Sequence, residues 1–470
     1  MSTSSPSNAD LRACLAAVDA AISEHMIRLQ KLEDYRQSVL RELGSIVYPV
    51  LSLPNEITSE IFLQCLPDIP GPNLNSKTFP RAPLGVCKAW RALALSTPRL
   101  WMHLGLDLRS ASVRWKWREL IEIWFSRAAP HLSTLSIRAK SWKHGDAGSE
   151  MIRPILQRYA PRLRIIQLEV TAQHCATIVD VQSFPVLEQL ALTVVEDGRL
   201  PGPAQLFRDA PRLTQLRLNV GDWNSPSSFD LPYQQLTKIT IGELILEELA
   251  VVLENAPLLR ELDCTPSHLG VSTYPTHHTL HTLTLRGGTG GVYKFLRFPA
   301  LQNLTIYRPQ YQCIPEEEFH HFRSHFHHSL QRFSYHGFRS PYKCPIDFVW
   351  LRWMPNLTEI TLTNIDSVER KPTNYSALVF RFIIFLNRGI HTTALPNLQS
   401  LDMEDHRFGI RPAALANILS TRSRAERRLA PLRSFRLICA PTRDGFEVLR
   451  GLVDQGMQIH VGPDRETNVV

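Results

Sequence analysis

The sequence predicts an α/β repeat protein: an N-terminal helix and a small helical module, followed by an irregular solenoid with one curved parallel sheet and return helices. Three observations predict this. A phrase Pro-x-Leu-x-x-Leu-x-Leu, sometimes without its Pro, recurs twelve times after residue 130, with its first Leu at 132, 163, 187, 213, 236, 259, 280, 301, 330, 357, 398 and 432. The intervals run from 21 to 41 residues, and most match a repeat unit of about 20–29 residues. The residue between the second and third apolar positions is polar in eleven of the twelve copies, as a half-buried strand with one wet face requires. Finally, from Asp10 to Leu43 apolar residues recur at three- and four-residue steps with neither Gly nor Pro, which is a helical pattern.

Taken in order, residues 1–9 are small and polar and are expected to be disordered. Asp10 is a plausible N-cap for a helix over 10–46, whose stripe runs through Leu11, Leu15, Val18, Ile22, Leu29, Leu32, Val39 and Leu43. His25 and Arg36 interrupt the seam. Two readings fit: a dimerising coiled coil, or an amphipathic helix folded back on the body.

Residues 47–104 form a compact helical block. Pro54 suits a first helical turn, where its missing N–H costs nothing, and Ile57, Ile61 and Phe62 are expected to share the face of the helix that follows. Asp68 to Arg81 is rich in Pro, Gly and Asn and reads as a loop. A second helix places Val86, Trp90 and Leu93 together. The Leu53-Pro54 opening, Glu56-Ile57, the apolar helix, Val86-Cys87-Lys88-x-Trp90, Leu95 and Trp101 resemble an F-box of the fungal type. The insertion between the two halves is longer than the family's usual connection, and the resemblance covers about a tenth of the chain.

A helical connector is expected over 105–128, repeats over 129–461, and a tail over 462–470. Return helices read at Leu244 to Asn255, Glu316 to Phe326, Ala377 to Asn387 and Gly445 to Asp454. The repeats resemble the leucine-rich-repeat superfamily in a loose fungal variety. The usual Asn or Cys after the third Leu is missing, so irregular convex turns are expected. A doubly wound sheet is the competing fold, and the short, uneven spacing and recurring Pro argue against it.

Catalytic patterns are absent: no GxSxG, HExxH or Walker A appears. Gly287 to Gly291 misses the spacing of a phosphate loop and reads as a connection between repeats. His320, His321, His325, His327 and His328 cluster near Cys313, but Phe322 and Phe326 take the apolar stripe, which leaves the histidines on the solvated side. Arg422, Arg424, Arg427 and Arg428 read as a solvated basic run. No enzyme activity, cofactor or metal is expected.

Eight cysteines without a CxxC pair, several inside apolar patterns, favour a reducing compartment. No signal peptide is visible, and the longest apolar run, Ala377 to Leu386, is too short to span a bilayer. An intracellular location, cytoplasmic or nuclear, is expected, with no membrane partner. The net charge of +8 is too diffuse to imply nucleic acid.

The resemblance implies a substrate receptor of an SCF-type ubiquitin ligase. The F-box would dock an Skp-family adaptor, and through it a cullin–RING ligase, while the repeats hold a protein substrate. On matching positions the docking residues would be Leu53, Pro54, Ile57, Ile61, Phe62, Val86, Trp90 and Trp101. Candidate substrate contacts are polar positions on and beside the strands: Arg217, Lys238, Glu261, Asp263, Arg286, Arg332, Glu359, Asp402, Glu404 and Arg436. Charge reversal at Glu261 and Asp263 is expected to leave stability nearly unchanged. Two other readings stay open: a repeat scaffold that self-associates through residues 10–43, and an RNA-binding repeat protein.

Overall fold

The structure is a computed structural model. It describes residues 7–45, 52–66, 80–108, 111–128, 133–139, 147–178, 183–195, 207–220, 226–267, 276–287, 297–307, 328–337, 351, 354–364, 382–383, 385–386, 394–404, 412–423, 429–439, 446–468 and 470. The chain divides into two compact units, one comprising 1–66 and 76–100, the other 67–75 and 101–470.

In the first unit, Asn8–Ser45 forms one long helix, α1. It starts two residues before the predicted cap because Ser7 and Asp10 cap it reciprocally. The Asp10 N–H donates to Ser7 Oγ (3.3 Å) and the Ser7 N–H to Asp10 Oδ2 (3.1 Å). Helix α2, Asn55–Gln64, follows Pro54, which sits at the cap rather than inside the first turn and accepts the Thr58 N–H. Helix α3, Lys88–Ser96, is capped by Cys87, whose Sγ accepts the Trp90 N–H at 3.4 Å.

Among the described residues the second unit is built on one sheet of fourteen parallel strands. They are β1 His103–Asp107, β2 Ser133–Arg138, β3 Leu163–Val170, β4 Gln189–Val194, β5 Gln215–Asn219, β6 Lys238–Ile245 and β7 Glu261–Ser267. Then come β8 Thr282–Arg286, β9 Asn303–Tyr307, β10 Arg332–Gly337, β11 Glu359–Asn364, β12 Ser400–Glu404, β13 Ser434–Ile438 and β14 Gln458–Gly462. Spatial order follows chain order throughout, so the reversal of a doubly wound sheet is missing and the fold is consistent with the solenoid the repeats predict.

The sheet extends one strand beyond the phrase at each end. Strand β1 runs from the end of the predicted helical block into the predicted connector, and Pro98, Leu100, Leu104 and Leu106 there repeat the phrase with one extra residue. Strand β14 uses Ile459 and Val461 without a Pro. Return helices include α4 Ala111–Ala128, α5 Ala147–Tyr159, α6 Ala172–Ile178, α7 Leu246–Asn255, α8 Pro412–Ser423 and α9 Arg450–Val453. Of the expected helices, Glu316 to Phe326 lies outside the described residues. Within Ala377 to Asn387 the described residues 382–383 and 385–386 are helical.

The recurring Pro has a local cause. It occupies the second position of a tight turn that delivers the chain to each strand. Thus the Leu163, Leu213 and Leu259 N–H groups donate to the carbonyls of Ala160, Ala210 and Ala256, the latter two at 3.0 and 3.1 Å. The same turn recurs before β4, β9, β11 and β12, at Phe184, Phe298, Met354 and Leu395. Proline pre-sets φ for that position and needs no donor there. The residue before each Pro and the Leu after it are buried, so the turn also fills the core. The two apolar positions of each strand then stack in register into continuous rows, such as Leu216, Ile239, Leu262, Leu283 and Leu304, each at most 2% exposed. At roughly 1.5–3 kcal/mol per large apolar side chain removed from water, these rows are the main source of stability.

Candidate functional site

The helical unit separates the F-box-like residues into two sets. Phe62 is buried and meets Trp90 edge-on, ring centroids 5.0 Å apart, while Thr58 lies one turn before Phe62 on the same inward face. Ile57 and Ile61 lie one turn apart on the outer face of α2, and both are exposed, as are Leu53 and Val86, the last by 61%. The expectation that Ile57, Ile61 and Phe62 share a face is therefore corrected: Phe62 is displaced by about 100° per residue from Ile61 and turns inward. Pro54 is exposed too. Trp101 is corrected as well. It is 1% exposed, packs edge-on against Trp124 at 4.8 Å, and carries Arg127 over its ring at 4.6 Å, all within the sheet unit. Phe62, Trp90 and Trp101 thus hold structure together, and Leu53, Pro54, Ile57, Ile61 and Val86 are exposed.

On the sheet, side chains alternate between the buried rows and an open face, and all ten predicted contact residues lie on that open face. They fall into three rows running across the strands. Lys238, Glu261, Arg332 and Glu359 lie in the first, Arg217, Asp263, Asp402 and Arg436 in the second, and Arg286 and Glu404 in the third.

Cross-strand contacts join several of these residues into one polar ladder. Arg286 is gripped by Asp263 through two hydrogen bonds of 2.8 Å, and its guanidinium lies over the Tyr307 ring at 4.7 Å. Tyr307 stacks on His336, centroids 4.2 Å apart and planes within 9°. His336 Nδ1 meets Thr363 Oγ1 at 2.6 Å, and Glu404 is next in register. In the second row Arg436 donates to Asp402 at 3.0 Å, and in the first Lys238 pairs with Glu261 at 2.7 Å and Arg332 with Asn303 Oδ1 at 2.6 Å. Each cross-strand charged pair of this exposure is worth at most about 1 kcal/mol, so the ladder orders the surface more than it stabilises the fold.

Electrostatics follow this packing. Hydrogen bonding to Asp263 raises the Arg286 pKa, keeping it firmly cationic. Burial lowers the His336 pKa, an effect that the nearby Glu404 opposes and Arg286 reinforces. Towards β1 the open face is different in character. A hollow of about 310 Å³ is lined by His103, Gln167, Gln189, Gln215, Arg217 and the small Ala191 among others. Burial lowers the His103 pKa, and among the described residues its Nδ1 has no hydrogen-bond partner.

Sequence reasoning missed Tyr307, His336 and Thr363. The signal was present, since each follows the third apolar residue of its repeat, as Arg286 and Glu404 do. Arg422 is corrected: rather than facing solvent it is 2% exposed, donating to the carbonyls of Ala394 (2.6 Å) and Leu395 (3.0 Å). Its neighbours Arg424, Arg427 and Arg428 lie outside the described residues, as do Gly288 to Gly291, Cys313 and the histidine cluster apart from His328. Among the described residues no group of three or more His, Cys, Asp or Glu side chains is placed to hold a metal, and no helix is long and apolar enough to cross a membrane. Buried Cys175 and Cys264 have thiols pushed up to about 12 by burial, so they act as small apolar residues.

No protein-family model matches the chain, and no curated protein matches it.

Proposed function

We propose that this chain is a protein-recruiting adaptor whose helical unit docks an Skp-family subunit of a cullin–RING ubiquitin ligase and whose open sheet face holds a protein substrate. The observation that carries this reading is the exposure of Leu53, Ile57, Ile61 and Val86 around a small core closed by Phe62 and Trp90. An apolar outer face on so small a unit is a docking surface, because solvating it serves no purpose in the fold itself. The F-box-like spacing of these residues supports an Skp-type subunit as the occupant. The contribution to ubiquitin transfer would be proximity, a raised effective concentration of substrate lysines at the loaded enzyme. On the sheet, Lys238, Arg286 and Arg436 are each committed to a carboxylate of a neighbouring strand. That argues against a phosphate-tracking basic stripe and favours a protein ligand over RNA.

The test is co-purification of the full chain with an Skp-type subunit. Ile57→Asp with Val86→Asp should abolish capture and change unfolding free energy by no more than about 0.5 kcal/mol, since both side chains lie at the surface. Phe62→Ala should cost about 3–5 kcal/mol in the helical unit. Failure of the well-folded wild type to capture the subunit refutes the ligase assignment.

A further inference from the structure

Helix α1 spans 38 residues, about 57 Å, and none of its side chains is buried. A helix of this length that is amphipathic but unpacked lacks the tertiary burial from which most helices draw their stability. Its stripe follows an unbroken four-three alternation. Leu15, Ile22, Leu29 and Leu43 fall on one heptad seam position (a), with Arg36 between the last two. Leu11, Val18, Leu32 and Val39 fall on the other (d), with His25 in the middle. All eight apolar residues are exposed except the half-buried Val39.

We propose that α1 pairs in parallel with α1 of a second copy of this chain, making the protein a coiled-coil dimer. The inference stands independently of the ligase assignment. At about 70 Å² from each of sixteen apolar seam side chains, pairing buries roughly 1,100 Å², above the ~1,000 Å² expected of a specific interface. Charge selects the occupant and its direction. In a parallel pair Arg28 at g lies beside Glu33 at e of the other copy, twice by symmetry, and no like-charged g–e pair arises. The antiparallel register that aligns all ten seam positions sets Glu33 against Met26 and Arg28 against Ala21, with no opposite charges together. The polar His25 and Arg36 layers fix the register and weaken the pair, so association is expected at micromolar rather than nanomolar concentration.

The experiment is sedimentation equilibrium of the full chain at tens of micromolar, beside the variant Leu29→Glu with Leu32→Glu. Dimer mass for wild type and monomer mass for the variant, with the sheet's unfolding midpoint unchanged, is the expected result. Direction is read by oxidising Val18→Cys in a Cys14→Ser, Cys65→Ser background, where peptide mapping should find the 18–18 disulfide; Ala20→Cys, on the outer face, should not form its counterpart. A monomeric wild type, a dimer that survives the double substitution, or equal cross-linking at 18 and 20 overturns the proposal.

Discussion

Two adjacent residues of β7 face opposite ways, and their substitution separates the two sides of the sheet quantitatively. Leu262 is 1% exposed and sits between Ile239 and Leu283 in its buried row. Leu262→Ala deletes three carbons, about 2.4 kcal/mol at ~0.8 kcal/mol each, before the cavity left between two packed neighbours is counted. The expected loss is about 3–4 kcal/mol, and in a stacked array it is felt at both interfaces of the repeat. Asp263 points the other way and grips Arg286, with side chains 25% and 50% exposed. Solvent screens that pair, so Asp263→Ala should cost about 0.5–1 kcal/mol. Reversal at Glu261 and Asp263 together is no longer expected to be neutral, because it breaks the pairs with Lys238 and Arg286 and sets like charges side by side. A total of about 1–2 kcal/mol follows. Urea unfolding followed by circular dichroism at two salt concentrations measures all three. Added salt should shrink the charged effects and leave Leu262→Ala untouched. A loss below about 1 kcal/mol for Leu262→Ala, or one for Asp263→Ala as large as that of Leu262→Ala, would refute the face assignment.

His336 links stability to pH. Its folded pKa is lowered by burial, so between that value and the ordinary ~6.5 the unfolded chain binds more protons. Stability should be fully present above about pH 6.5 and fall as acid is added below it, and His336→Gln should flatten that part of a melting-temperature profile. His103, lowered by burial too, should act in the same direction. Arg422→Ala, by stripping the carbonyls of Ala394 and Leu395 of their buried donors, should cost about 2–4 kcal/mol in urea unfolding, far more than any solvated arginine.

Much of the fold was legible because period-two alternation is strict. Fixing Leu262 and Cys264 inward forces Glu261 and Asp263 outward, and that logic placed every predicted contact residue on one face. Features that depend on non-local packing were harder to read. Phe62 and Ile61 are equivalent as apolar letters, and only the position of Trp90 decides which of them turns inward. Arg422 reads as one more cation in a run, and its burial follows from two carbonyls at a proline turn 27 residues earlier. Strand β1 went unrecognised because a single extra residue, Met102 or its neighbour, spoils the phrase between Leu100 and Leu104. The polar ladder was half visible: Arg286 stood out by its charge, whereas Tyr307 and His336 gain meaning only from stacking on neighbours 21 and 29 residues away.

Uneven repeat lengths and an even sheet are reconciled by one backbone feature. Where a strand begins, a single carbonyl of the preceding repeat accepts two successive N–H groups of the next. Arg260 O receives His281 and Thr282, 21 residues on, and Thr358 O receives Gln399 and Ser400, 41 residues on. The bond pattern is the same in both cases, so the additional length is absorbed entirely in the return segment. Strand spacing is thereby independent of loop length, and loop closure adds only about 0.6 kcal/mol per doubling. Return segments can therefore vary at little energetic cost while the open face keeps its rows in register. A face read across strands, as the Asp263–Arg286–Tyr307–His336–Thr363 ladder is, requires that separation: its residues come from five repeats whose intervals differ, and they meet because the sheet, and not the sequence spacing, sets their distance.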